Sequence, residues 1–190
     1  MLEPSVAVRP ALLVEAGALH DLAALTFPLA CPPSTTEAAK AAFIEQHLST
    51  AAFEHHLVDP RRLVLVAEHA DALVGYAMLV QGEPGDPDVA AAVQGRPTAE
   101  LSKLYVHPDQ HGGGVALALV EHVLAAAAER GAMSVWLGVN IHNARANRFY
   151  EKAGFAVVGT KGFIVGETIE DDYVRERPLV LTRVIPEQSR

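Results

Sequence analysis

A run of three glycines, Gly112, Gly113 and Gly114, lies between a β-rich segment ending at Val106 and an Ala/Leu/Val-rich segment beginning at Val115. A loop without Cβ atoms lets a ligand approach the backbone closely. The first N–H groups of a following helix have no partners within that helix, and its dipole attracts negative charge. The pattern therefore predicts a phosphate-binding loop, although an isolated glycine run is more often a flexible turn.

Two familiar phosphate-binding fingerprints do not account for this loop. No G-x-x-x-x-G-K-[ST] occurs, and a dinucleotide-binding loop belongs to the first strand–helix unit, whereas several strands are predicted before Gly112. A second notable block runs from Asn143 to Phe155, one predicted strand after the loop. Phe149 and Phe155 are expected to pack inward, which leaves Asn143 and Tyr150 without a packing role.

Both blocks resemble motifs of the GNAT superfamily of N-acetyltransferases. Segment 104–119 is similar to the central Q/R-x-x-G-x-G/A motif, with Gly114 and Ala116 in place and His111 where Gln or Arg is usual. Segment 143–155 is similar to the downstream N-x-x-A-x-x-F-Y-E-K-x-G-F signature. The resemblance implies acetyl-CoA as co-substrate, held by residues of both blocks: Leu104, Tyr105, Val106, His111, Gly112, Gly113, Gly114, Val115, Ala116, Asn143 and Tyr150.

The resemblance also implies a mechanism. The strand ending at Val106 would splay from the strand beginning near Met133, so that pantetheine inserts between them and a backbone N–H near Val106 polarises the thioester carbonyl. Tyr150 matches the tyrosine beside the coenzyme sulfur, and a phenol with an ordinary pKa of about 10 suits a proton donor to a thiolate. The alternative is a core tyrosine whose hydroxyl bonds to the backbone.

The general base is left open by the sequence. Glu100 stands eleven residues before His111, where the histone-acetylating branch of the superfamily carries its base. Glu100 also begins a strand beside a polar loop, where a solvated carboxylate needs no further explanation. His107, His111 and His142 are alternatives, alone or through water, because histidine titrates near neutral pH.

The acceptor is expected to be an amine. The segment 161–174 is loosely similar to the tail of bacterial polyamine-type acetyltransferases. Its acidic residues Glu167, Glu170, Asp171 and Asp172 could line a site for a cationic amine, although a solvated charged face is the favoured interpretation. Small amines or polyamines are favoured over protein N-termini and lysines, and the competing class is a non-catalytic acyl-CoA-binding sensor.

Composition limits the other possibilities. With 190 residues, 50% of them hydrophobic, the chain is expected to form one domain over 1–190, and a net charge of −8 argues against nucleic acid. Cys31 is the only cysteine, the N-terminus lacks a leader pattern and no apolar run reaches 18 residues, so a cytoplasmic, non-membrane protein is expected. His55 and His56 point about 100° apart on a helix, and no metal site is predicted.

The periodicity of the apolar residues and the positions of Pro and Gly predict the strands and helices that position these residues. Strands are predicted over 6–9, 63–67, 73–80, 100–106, 133–139, 155–159 and 178–184. Helices are predicted over 16–25 with Pro28 as the stop, over 37–48, from Ser49 or Thr50 to near Pro60, from 115 to 130 and over 143–152. Segment 82–98 reads as a long loop, and a lid is one interpretation.

This order predicts an α/β (α+β) fold. A central, mixed, mostly antiparallel twisted sheet would be splayed at the cofactor site and covered by helices on both faces. The sequence says little about assembly. Exposed strand edges and the apolar tail 179–181 make a homodimer conceivable.

Overall fold

A computed structural model describes residues 6–165 and 168–179. Its strands form one seven-stranded sheet in the order β1-β2-β3-β4-β5-β7-β6. The strands are β1 (Ala7–Pro10), β2 (Arg62–His69), β3 (Ala72–Gln81), β4 (Thr98–Val106), β5 (Ser134–Asn140), β6 (Ala156–Val165) and β7 (Thr168–Pro178). The helices are α1 (Ala16–Ala30), α2 (Glu37–His47), α3 (Thr50–Val58), α4 (Pro87–Ala92), α5 (Val115–Glu129) and α6 (Ala144–Lys152).

The sheet opens between its two central strands. β4 and β5 are the parallel pair, and they remain paired only over Thr98–Glu100 and Ser134–Trp136. All other pairs are antiparallel. Because β4 continues to Val106 and β5 to Asn140 beyond this short ladder, the facing edges of the two strands have no strand partner there. The predicted mixed, mostly antiparallel sheet with a splay is confirmed.

Local signals explain several boundaries. The hydroxyl of Thr36 accepts a hydrogen bond from the amide of Ala39 and caps α2, and Ser49 caps α3 in the same way. The β2–β3 turn places Ala70 and Asp71 at φ of 49° and 62°, which is the left-handed geometry of a two-residue hairpin loop. These boundaries lie close to the predicted ones.

Helices cover both faces of the sheet, as predicted. On one face, α5 packs on β3, where a Cβ at Gly75 would lie 3.1 Å from side chains of Leu119 and Val115. Gly75 thus allows the close approach that fixes the start of α5. On the other face, α1 and α3 pack on Tyr76 and Met78.

Helix α1 runs further than the sequence suggested, because Pro28 lies inside it rather than ending it. Phe27 is 4% exposed and stacks on Phe43 with ring centroids 4.5 Å apart. This tertiary packing holds the last turn despite the missing proline N–H. The stretch Leu13–Ala30 is long and apolar enough to cross a membrane by length and composition, and 33% of it is buried, where it contacts α3 and the sheet.

Two further predictions were wrong. Segment 82–98 contains α4, whose Val89 is fully buried against Trp136 and Val174, so this segment is packed into the fold rather than being a long loop. The strand predicted to end at Gly159 continues to Val165, and β7 follows it where no strand was predicted. Charged residues obscured the alternation of β7. The predicted tail strand 178–184 begins where β7 ends, and its positions from 180 onward lie outside the described residues, as does Glu167.

Candidate active site

A cavity of about 450 Å³ lies beside the end of β4, between the glycine loop and the start of α6. The predicted cofactor residues that line it are Leu104, Tyr105, Val106, His111, Gly112, Gly114, Val115, Ala116, Asn143 and Tyr150. Gly113 does not line it, because its N–H turns inward to the carbonyl of Gln110 at 3.2 Å. The two sequence blocks, far apart in the chain, therefore meet around one cleft.

The glycine loop leaves its ligand side open. Gly112 and Gly114 have φ of 85° and 80°, and a Cβ built on either would meet no atom within 4 Å. Gly114 is the N-cap of α5 and offers no capping side chain, so the first amides of α5 remain available beside the cavity. A loop with this space and these donors fits a pyrophosphate.

Arg145 is a cationic residue of this cleft that sequence reasoning missed. Its guanidinium donates to His111 Nδ1 at 2.9 Å, while His111 Nε2 donates to the carbonyl of Val106 at 3.0 Å. Since one ring nitrogen accepts and the other donates, His111 is neutral with its proton on Nε2. Arg145 lines the cavity and places a positive charge beside the loop, where His111 replaces the family's usual Gln or Arg. The sequence signal that could have pointed to Arg145 was the departure of His111 from the Gln or Arg of the family motif.

The alternative histidine bases are poorly placed. The Nδ1 lone pair of His111 is already engaged by Arg145. His107 accepts from the amide of Asp109, and neither His107 nor His142 lines this cavity or the second one.

A second cavity of about 260 Å³ lies on the α1/α2 face of the sheet. It shares with the first cavity a set of residues at the splay: Ala30, Leu104, Tyr105, Asn143, Ala146 and Tyr150. Glu100, Lys103, Lys161, Glu170 and Asp172 supply its charged lining. The two cavities therefore share Tyr105 and Tyr150 in their lining.

Tyr150 has the environment of a proton donor. Burial raises its pKa well above the ordinary value, which keeps the phenol protonated. No hydrogen bond to its hydroxyl is formed by any residue within 6–165 and 168–179. The backbone partner expected of an ordinary core tyrosine is thus missing from this part of the chain.

Burial raises the pKa of two carboxyl groups in the second cavity. Burial raises the pKa of Glu100, and the positive charges of Lys161 and Lys103 oppose that rise. Asp172 is 6% exposed, and burial raises its pKa to about 6. The interpretation of the acidic run as a solvated face is wrong for Asp172, because strand alternation turns Asp172 toward the cavity. Glu170 also lines the cavity and accepts a hydrogen bond from Ser34 at 3.0 Å.

Asp172→Asn is expected to stabilise the protein at pH 8 by up to about 3 kcal/mol, at 1.4 kcal/mol per pKa unit. The folded pKa of about 6 exceeds the ordinary 3.8. The contribution of Asp172 to stability is therefore fully present below pH 3.8 and is lost as the pH rises through about 6. Denaturant unfolding at pH 4 and pH 8 should show a larger gain for the variant at pH 8. Asp21→Asn, at an exposed position of α1, is the control, and an equal gain at both pH values would contradict the assignment.

Comparison with known proteins shows the family to which this chain belongs. Residues 19–155 match the acetyltransferase (GNAT) family, and the chain belongs to this family. The predictions of an acetyltransferase and of acetyl-CoA as its co-substrate are confirmed at the level of the family.

Individual proteins that are similar to this chain are also named acetyltransferases. An uncharacterised N-acetyltransferase of Mycobacterium tuberculosis is 49% identical over 168 residues, covering 88% of this chain and 100% of that protein. A mycothiol acetyltransferase of Propionibacterium freudenreichii is 35% identical over 102 residues, which is 54% of this chain and 30% of that protein. The structure of the PaiA N-acetyltransferase of Thermoplasma acidophilum with coenzyme A has a TM-score of 0.73 at 19% identity, covering 92% of this chain and 99% of that chain, and so supports the fold.

Proposed function

We propose that the protein transfers an acetyl group from acetyl-CoA to a primary amine of a small molecule, directly and within a ternary complex. The observation that carries the proposal is the meeting of the two cavities at Tyr105 and Tyr150. A thioester in the first cavity and an amine in the second would have their reacting atoms on either side of this junction. No covalent enzyme intermediate is needed in such a geometry.

The first cavity would hold acetyl-CoA through backbone and charge. The first-turn amides of α5 and the guanidinium of Arg145 would bind the pyrophosphate. The pantetheine arm would lie along the β4 edge that lacks a strand partner beyond Glu100, and a backbone N–H near Val106 would polarise the thioester carbonyl.

The proton transfers would be divided between the two cavities. Glu100, directly or through water, would accept the proton that the ammonium of the substrate must lose before attack. The amine nitrogen then bonds to the carbonyl carbon, the C–S bond breaks, and Tyr150 protonates the leaving thiolate. The second proton that the nitrogen loses as the amide forms would pass to the Tyr150 phenolate, directly or through water, and so restore the phenol. Asp172 is a second buried carboxylate in the same cavity and competes with Glu100 for the role of base.

The size of the second cavity supports a small acceptor. Its volume of about 260 Å³, with Phe43 of α2 and Leu48 in the lining, leaves room for a small molecule rather than a folded polypeptide surface. The proposed compartment is the cytoplasm, and a homodimer stays a prediction.

Thiol release from acetyl-CoA, measured with a panel of amines, amino acids and peptides, tests the proposal. Turnover is expected with small primary amines and little or none with peptides. Preferential turnover of peptides would favour a protein N-acetyltransferase. Acetyl-CoA binding, measured by calorimetry, without turnover on any amine would favour a sensor of acyl-CoA.

A further inference from the structure

Two lysines of the second cavity form no hydrogen bond and no close ion pair with the described residues. Lys103 and Lys161 line the cavity together with Glu100 and Asp172. In the described part of the chain, neither ammonium forms a hydrogen bond or an ion pair within 4.0 Å. Their positive charges therefore face the cavity without a bonded counter-ion.

Lys103 reaches the cavity because of a β-bulge. Met78 pairs with Lys103 and Leu79 with Leu101, so Ser102 is an extra residue on β4. In a regular strand, side chains alternate between the two faces, so Glu100 and Lys103, three positions apart, would lie on opposite faces of the sheet. With the bulge they share a face, and burial lowers the pKa of Lys103 while the charge of Glu100 opposes that change.

Lys161 reaches the cavity across a glycine. A Cβ at Gly138 would lie 2.6 Å from Lys161 Cε and 3.3 Å from Asp172 Oδ2, so the lack of a side chain on β5 makes room for both groups. The ammonium lies 5.6 Å from the centre of the Trp136 ring. This weak cation–π contact orients the lysine but leaves its hydrogen-bond donors free.

Asp172 has an unused acceptor. It pairs across the sheet with Lys161 on β6 and with Asn140 on β5, which places the three side chains in one row on the cavity face. Asp172 is 6% exposed, yet its Oδ1 has no hydrogen-bond partner. An unpartnered buried carboxylate oxygen is costly, and a donor supplied by a bound ligand would remove that cost.

We propose that the acceptor is an amine that also carries a carboxylate, in the manner of an amino acid. Lys103 and Lys161 hold its carboxylate by charge-assisted hydrogen bonds, and Glu100 and Asp172 receive its ammonium group. A polyamine would instead bring a second cation near Lys103 and Lys161, where like charges repel, and would supply no carboxylate for these lysines to bind. The inference rests on the proposed function and assigns the substrate class of the same site.

Amines that differ only in a carboxylate test this assignment. L-ornithine is compared with putrescine and L-lysine with cadaverine, with kcat/KM measured by thiol release from acetyl-CoA. The carboxylate-bearing member of each pair is expected to be preferred about tenfold or more, which corresponds to one charge-assisted contact. Equal use of both members, or preference for the diamines, would overturn the assignment and leave the proposed acetyl transfer standing.

Lys103→Met and Lys161→Met remove each charge while keeping most of the apolar stem. Each is expected to raise KM for the amino acid about tenfold and to leave KM for the diamine unchanged or lower. Lys152→Met, on the exposed surface of α6, is the matched control and should change neither value.

Folding and cofactor binding are checked separately, by thermal unfolding and by the Kd of acetyl-CoA for each variant. A preference for amino acids that survives in both folded lysine variants would overturn the assignment of these side chains. Acetyl-CoA binding by the wild type without thiol release on any amine would instead overturn the proposed function, and this inference with it.

Discussion

Replacing Tyr150 with Phe is expected to lower kcat about 100-fold or more, the usual contribution of a general acid. The phenyl ring keeps the packing of Tyr150 against Phe149 and Phe155, whose ring centroids lie 5.3 and 5.8 Å away. The hydroxyl has no hydrogen-bond partner among the described residues and the ring is retained, so the variant should still bind acetyl-CoA. Steady-state kinetics and calorimetry measure the two quantities independently.

Tyr173→Phe is the control for this variant. Tyr173 lies on β7, neighbours Asp172 in sequence and does not line either cavity. Its variant should retain the kcat of the wild type. Unchanged turnover in Tyr150→Phe would remove Tyr150 from the mechanism and direct attention to Tyr105, the other phenol at the junction.

Replacing Gly114 with Val is expected to lower kcat/KM at least about 100-fold, mainly through KM for acetyl-CoA, because two costs add. A β-branched residue at φ of 80° is strained by at least about 1–2 kcal/mol. Its side chain would also fill the open space in front of the α5 amides, where the pyrophosphate is proposed to bind. Kinetics at varied acetyl-CoA concentration would separate KM from kcat.

Gly131 offers a control with the same backbone cost. It follows α5 at its other end with φ of 85°, and a Cβ there also meets nothing within 4 Å. Gly131→Val should lose a similar amount of stability, measured by thermal unfolding, without a change in KM for acetyl-CoA. An equal rise in KM for both variants would assign the effect of Gly114→Val to stability rather than to the loop.

The prediction from sequence was most accurate where the signal is local. The capped helices α2 and α3, the β2–β3 turn and the loop before α5 depend on neighbouring residues, and their boundaries were close to the observed ones. Prediction failed where distant contacts decide the conformation. α1 continues past Pro28 because Phe27 packs on α2, and β7 forms although its residues 170–172 are all acidic.

The same difference between local and distant signals applies to the residues of the candidate site. The sequence predicted a cofactor loop and a role for Tyr150, because backbone space and a signature tyrosine are properties of short segments. Arg145 was missed, since only the fold brings it beside His111.

The sequence by itself determined the family, the co-substrate and the helix terminus that would receive its phosphates. Only the tertiary structure decided the chemistry of the second cavity. The bulge at Ser102 turns Lys103 to the side of Glu100, and the pairing of β6 with β7 brings Lys161 opposite Asp172. Strand register depends on pairing and burial between segments far apart in the chain, and a shift of one residue moves every side chain to the other face. The residues proposed to select the acceptor are therefore brought together by strand pairing.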